Sequence, residues 1–129
     1  MRLLLDTHAL IWAVVAPERL GEAAHAAMVA DGAEVYASHV SLWEMAIKRR
    51  IGKLNGLDRS AIEWFETFVP KSRILQLPIA VGHLGAVEFL PARHSDPFDR
   101  LLVAQARHEG LVIVTHDELV TRYDVEVIW

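Results

Sequence analysis

The chain has 129 residues, 53% hydrophobic and 23% charged, enough for one domain (1–129) with a real core and unlike a disordered chain. It has no cysteine, which excludes a disulfide framework and thiol chemistry, and its formal net charge of −4 argues against broad nucleic-acid affinity unless a local basic patch supplies it. Met1-Arg2-Leu3-Leu4-Leu5 meets Asp6 too soon for a signal-peptide core, and the uncharged run from Ala9 to Pro17 is too short to span a bilayer; a cytoplasmic protein without membrane contact is expected.

Leu3-Leu4-Leu5 does not alternate, as expected of a strand buried on both faces. Asp6-Thr7 ends it and can cap a helix to about Ala16, with Pro17 as its stop. Gly21 to Asp31 reads as an alanine-rich helix, Glu34 to Ala37 as a second strand, and Ser38 to about Arg50 as a helix stopped near Gly52. Asn55-Gly56 marks a turn, followed by a helix from Asp58 to Val69 that Pro70 should end. Arg73 to Leu77 reads as a third strand and Ile79 to Leu90 as a glycine-interrupted helix. Asp96-Pro97 is a strong helix start, with a carboxylate at the N-cap and proline where no backbone donor is lost, and Gly110 ends that helix. Leu111 to Val114 is another doubly buried strand, Thr115 to Tyr123 a short helix or turn, and Val125 to Ile128 an edge strand. Strands alternating with helices predict an α/β fold: a parallel sheet of about five strands with helices on both faces. Sites in such folds lie beyond the carboxyl ends of the strands.

Four acids fall where such a site would be. Asp6 follows the first strand and Asp117 the fourth. Asp99 is the third residue of its helix and heads the apolar stripe Leu102, Val103 and Ala106. Glu44 shares a helix face with Ile47 and Ile51, read here as a core stripe. Each has an ordinary alternative as a helix cap or, for Glu44, a capping box with Ser41 or an i,i+4 pair with Lys48. Together they repel: two carboxylates about 5 Å apart cost roughly 3 kcal/mol at an effective dielectric near 20. A divalent cation relieves that cost, and oxygen ligands suit Mg²⁺ or Mn²⁺ better than Zn²⁺. The seven histidines form no pair spaced for metal on one helix, and His94 and His116 are read as structural.

These residues carry a resemblance. Leu3-Leu4-Leu5-Asp6-Thr7-His8-Ala9-Leu10-Ile11-Trp12, Trp43-Glu44-Met45-Ala46-Ile47-Lys48, the stretch from His94 to Ala106 and Thr115-His116-Asp117 resemble the PIN-domain ribonucleases, and among them the VapC-type toxins of toxin–antitoxin pairs. The resemblance implies Mg²⁺-dependent RNA cleavage with Asp6, Glu44 and Asp99 as metal-binding acids and Asp117 as a looser fourth. It also implies a homodimer and a small antitoxin that occludes the site, with DNA met only through that antitoxin.

Basic residues after the acids, Lys48, Arg49, Arg50 and Arg100, are candidate RNA contacts. The apolar positions of the helix from Asp58 to Val69 wrap more than half its circumference, so Trp64, Phe65 and Phe68, together with Trp43 of the preceding helix, are expected to form a groove for the antitoxin. The alternative for these aromatics is the core or a homodimer interface. Two other functions compete with the nuclease. A phosphoacceptor receiver domain would need a late lysine, and the last lysine is Lys71. A catalytically silent PIN-like binding module would be expected to have lost acids, and all four are present.

Overall fold

Leu3, Leu4 and Leu5 form the middle of the molecule, with no solvent exposure at any of the three. In the computed structural model, which describes residues 1–129, they belong to β1 (Arg2–Leu5) of a five-stranded sheet. The other strands are β2 (Glu34–Ser38), β3 (Leu75–Leu77), β4 (Val112–Val114) and β5 (Val127–Ile128), in the spatial order β3-β2-β1-β4-β5. Every neighbouring pair is parallel. The fold is therefore the expected α/β parallel sheet.

Because successive side chains point to opposite faces, β1 feeds two cores. Leu3 and Leu5 join Leu10, Met45, Trp64, Phe65 and Val69 on one face. Leu4 joins Leu101, Leu102, Val103, Ala106 and Ile113 on the other. The first face is covered chiefly by α1 (Thr7–Val15), α2 (Glu22–Val29) and α4 (Ala61–Lys71), the second by α5 (Val81–Glu88) and α6 (Pro97–Glu109). The remaining helix, α3 (His39–Arg50), contributes Met45 to one core and Val40 to the other.

The caps follow the residue chemistry. Asp6 accepts from the Ala9 N–H, Ser38 from Val40, and Asp96 from both Phe98 and Asp99. Gly110 closes α6 in the left-handed region at φ 69°, a conformation glycine adopts without strain. The α4 boundaries differ from expectation. Ser60 rather than Asp58 is the cap, accepting from Glu63. Pro70 lies inside the last turn instead of stopping the helix, since a proline that late forfeits a single backbone bond. The stop is Arg73, left-handed at φ 57°, whose N–H reaches the Pro70 carbonyl while Ile74 reaches that of Val69. That turn also explains why β3 begins at Leu75 and not at Arg73.

From β1 the chain steps outward to β2 and β3, then crosses back to place β4 on the other side of β1. The order reverses between β1 and β4, and at such a switch point the carboxyl ends open a crevice. No helix is long and apolar enough to cross a membrane.

Candidate metal centre at the switch point

Asp6 emerges from β1 into this crevice and is 8% exposed. Its Oδ1 caps α1, and its Oδ2 accepts from Thr115 Oγ1, at the end of β4, at 2.6 Å. Burial raises its pKa above the ordinary aspartate value, against the pull of the Thr115 and Ala9 hydrogen bonds.

Asp99 enters from the first turn of α6. Its pKa is pushed up to about 7, first by burial and then by the negative charges of Asp96, Glu44 and Asp6, with His94 pulling the other way. The charge of Glu44 acts on both Asp6 and Asp99, and that of Asp6 on Asp99.

Asp117 hangs beyond β4. Its Oδ1 accepts from the Leu119 N–H and its Oδ2 lies 2.9 Å from His94 Nε2. Burial would raise its pKa, but the hydrogen bonds from His94 and Leu119 outweigh it and hold the group below the usual value.

Glu44 is 3% exposed, but not for the expected reason. Ile47 and Ile51 are exposed, so they form no core stripe. The buried face of α3 is instead Val40, Ser41, Glu44 and Met45. Glu44 Oε1 accepts from Thr7 Oγ1 at 2.6 Å, and Oε2 is paired with Lys48, so the i,i+4 alternative is realised and the capping box with Ser41 is not. Both carboxylate oxygens of Glu44 are therefore engaged by protein groups.

His94, read as structural, stands between two of the acids: its Nε2 is 2.9 Å from Asp117 Oδ2 and 3.1 Å from Asp99 Oδ2. Its other nitrogen, Nδ1, accepts from the Asp96 N–H at 3.1 Å. A backbone N–H can only donate, so Nδ1 carries no proton and the ring proton is on Nε2. In that tautomer Nε2 donates to Asp117 and offers no lone pair to a metal. A second cluster, His83, His108 and Glu109, follows the same logic: His83 Nδ1 accepts from Ala80, leaving Nε2 to donate to Glu109. The signal for His94 was its place just before the Asp96-Pro97 cap, which brings it back over the first turn of α6.

Three carboxylates, from Glu44, Asp96 and Asp99, act on one ammonium, that of Lys48, which pairs with Glu44. Burial opposes its charge, but Glu44, Asp96 and Asp99 raise its pKa. The N-termini of α1 and α6 also point into the crevice and add partial positive charge. The site remains short of cations, and its free lone pairs are carboxylate oxygens. Asp99 and Asp117, with His94, bring their polar atoms within 4.8 Å of one another, and a carboxylate donor set of this kind fits Mg²⁺ or Mn²⁺.

The other candidates separate. Arg49 and Arg50 are exposed on the last turn of α3. Lys48 is taken by Glu44. Arg100 is committed elsewhere: its guanidinium donates to the carbonyls of Pro91, Val87 and Leu90 and to the Tyr123 hydroxyl, closing the C-terminal end of α5. Trp64 and Phe65 are core residues, at 3% and 1% exposure, so the alternative for these two holds. Phe68 is half-buried against Trp64, and Trp43 packs edge-on against Phe98 at 4.8 Å instead of on α4. A groove between α3 and α4 does exist, lined by Leu42, Trp43, Ala46, Arg49, Arg50 and Ile62. Of the four expected aromatics only Trp43 lines it. The wide apolar surface of α4 goes inward because both α3 and the sheet pack on it.

No curated protein matches the sequence. Among solved structures the fold is similar to that of VapBC2 from Rickettsia felis, with TM-score 0.70 and 14% identity over 99% of this chain and 98% of that one. It is also similar to VapBC from Salmonella typhimurium (0.65, 18%, covering 99% and 97%). A third likeness is to FitAcB from Neisseria gonorrhoeae (0.59, 17%, covering 98% and 96%). At these identities the likeness is one of fold. The family model of the PIN domain matches residues 3–126, nearly the whole chain, and its span takes in every acid of the crevice: the chain belongs to the PIN-domain family.

Proposed function

We propose that this protein is a divalent-metal-dependent endoribonuclease and the toxin of a toxin–antitoxin pair. The observation that carries the reading is the charge imbalance at the switch point, where burial and neighbouring carboxylates push Asp99 up to about 7. A bound Mg²⁺ or Mn²⁺ supplies Lewis-acid activation of water and neutralises charge on a phosphodiester. Asp6, Asp99 and Asp117 hold it. Thr115 orients Asp6, and His94 orients Asp117 through its Nε2–H. Glu44, fixed by Thr7 and Lys48, stands behind these ligands and adds negative charge to the site. Arg49 and Arg50 are the exposed cations for the RNA backbone.

The partner reading rests on the fold neighbours, which are VapBC and FitAB complexes, two of the VapBC structures bound to DNA. By that analogy a small antitoxin inserts an apolar segment into the groove of Leu42, Trp43, Ala46 and Ile62, a cation from it enters the acid crevice, and two copies of the chain pair. The deciding experiment is cleavage of labelled RNA by the purified chain. Activity should require Mg²⁺ or Mn²⁺, stop with EDTA and be absent in Asp6→Ala; activity that survives chelation would rule the metal reading out.

A further inference from the structure

Beside the acids lies a set of side chains that the chemistry above does not use. A cavity of about 400 Å³ is lined by Asp6, His8, Trp12, His116, Asp117 and Trp129. Two of these are carboxylates of the crevice; the other four are flat rings. Trp129 stacks on His116 with centroids 5.0 Å apart and planes at 29°. It tilts against Trp12 at 5.7 Å, and His8 tilts against Trp12 at 6.1 Å. The Arg19 guanidinium lies over the Trp12 ring at 4.7 Å. The wall is held in place: a Cβ on Gly21 would fall 2.2 Å from the Trp129 carbonyl carbon and 2.7 Å from its Cδ1, so glycine is what lets Trp129 seat there. His8 and His116 are exposed, and Trp12 and Trp129 half-buried, so the lining is reachable from solvent.

We propose that this cavity is a stacking subsite for one unpaired nucleobase next to the scissile phosphate. The proposal rests on the nuclease reading and assigns Trp12, His116 and Trp129 to the base end of its substrate. Carboxylates at one side and π faces at the other match the two ends of a nucleotide, its phosphate reaching the acids through the cation and its base meeting the rings. The volume is in the range of pockets for one small ligand, about 300–1,000 Å³, and does not admit a duplex. In a duplex, moreover, the base faces are already covered by their neighbours, whereas an unpaired base can stack on a protein ring. The net charge of −4 gives the reason for such a subsite: with little long-range attraction for phosphate, stacking supplies the local affinity.

The test is made in EDTA, where no cleavage occurs, with Trp43→Phe as background to remove an exposed indole outside the cavity. A short unpaired oligoribonucleotide should quench the tryptophan fluorescence, and the same strand annealed to its complement should not. Trp12→Leu and His116→Ala should each weaken binding of the unpaired strand by roughly 5- to 150-fold, the range for loss of one base stack. The exposed His116 makes the second variant safe for folding. Equal quenching by duplex, or unchanged affinity in both variants, overturns the subsite. Cleavage assays with Mn²⁺ keep the two readings apart. Variants that cut unpaired RNA like wild type sink the subsite alone; a wild-type chain that neither binds nor cuts RNA sinks both.

Discussion

Thr115 Oγ1 donates to Asp6 Oδ2 at 2.6 Å, joining residues 109 positions apart across the point where the sheet reverses its order. Glu44 has a matching donor in Thr7 and Asp117 one in His94, whose Nε2 also lies 3.1 Å from Asp99 Oδ2. Asp6 and Asp117 are thus aimed by a hydroxyl and an imidazole that leave lone pairs free, whereas Lys48 takes the second oxygen of Glu44.

Alongside Asp6, whose pKa burial also raises, Asp99 contributes to the pH dependence of the metal-free protein. Its pKa rises from 3.8 to about 7 on folding, so between those values the folded state binds more protons than the unfolded one. Stability therefore falls as pH rises through this window, by on the order of 2–4 kcal/mol, and the penalty is fully present above it. Urea denaturation in EDTA at pH 5 and pH 8 should show the loss in wild type and less of it in Asp99→Asn. A variant less stable than wild type at pH 8 would mean that Asp99 serves chiefly as a helix cap.

The same group links metal to protons. Mn²⁺ binding near pH 6 should expel a proton from Asp99, whereas binding well above pH 7 should not. Calorimetry in buffers of different ionisation enthalpy reads this directly. Heats independent of the buffer at pH 6 would remove Asp99 from the ligand set.

Two kinds of arginine should part company. Arg49→Ala or Arg50→Ala should leave stability nearly unchanged and lower the slope of log K against log salt for RNA by about 1 each. Arg100→Ala should instead destabilise the fold, by about 1–3 kcal/mol, because the carbonyls that close α5 lose their donor. Thermal melts and salt titrations of the three variants would test the division; an Arg100→Ala variant as stable as wild type would reopen its RNA role.

The aromatic residues of α3 and α4 should also separate. Trp64→Ala removes a fully packed core side chain and should cost about 3–5 kcal/mol. Ile62→Glu, on an exposed wall of the groove, should leave the melting temperature close to wild type and lower affinity for the antitoxin at least tenfold. Unimpaired antitoxin binding by the Ile62 variant would place the partner on another surface.

Gly21→Ala tests how tightly Trp129 is seated. The added methyl meets backbone and ring atoms that cannot both move away, so a loss of about 1–3 kcal/mol is expected, larger than a capping change from glycine alone would cause. A neutral result would show that the Trp129 segment is free to shift.

Local chemistry in the sequence determined most of the elements. The unbroken Leu3-Leu4-Leu5 run declared a doubly buried strand, Asp96-Pro97 and Gly110 bounded α6, and Asp6 and Asp117 were placed by following strands. These signals work because capping, proline geometry and burial on two faces act over a few residues. What they could not decide is which face of a helix meets which neighbour. Ile47 and Ile51 share the periodicity of a core stripe, yet the sheet lies on the Val40–Ser41–Glu44 side; Trp64 and Phe65 could have faced a partner, yet α3 and the sheet enclose them. Arg100 was free to read as an RNA contact until α5 brought its carbonyls within reach. His94, which donates to Asp117, and the ring wall of Trp12, His116 and Trp129 depend on residues far apart in the chain. Periodicity names the residues that can be buried, but only packing, by filling space and pairing every buried polar group, selects the ones that are.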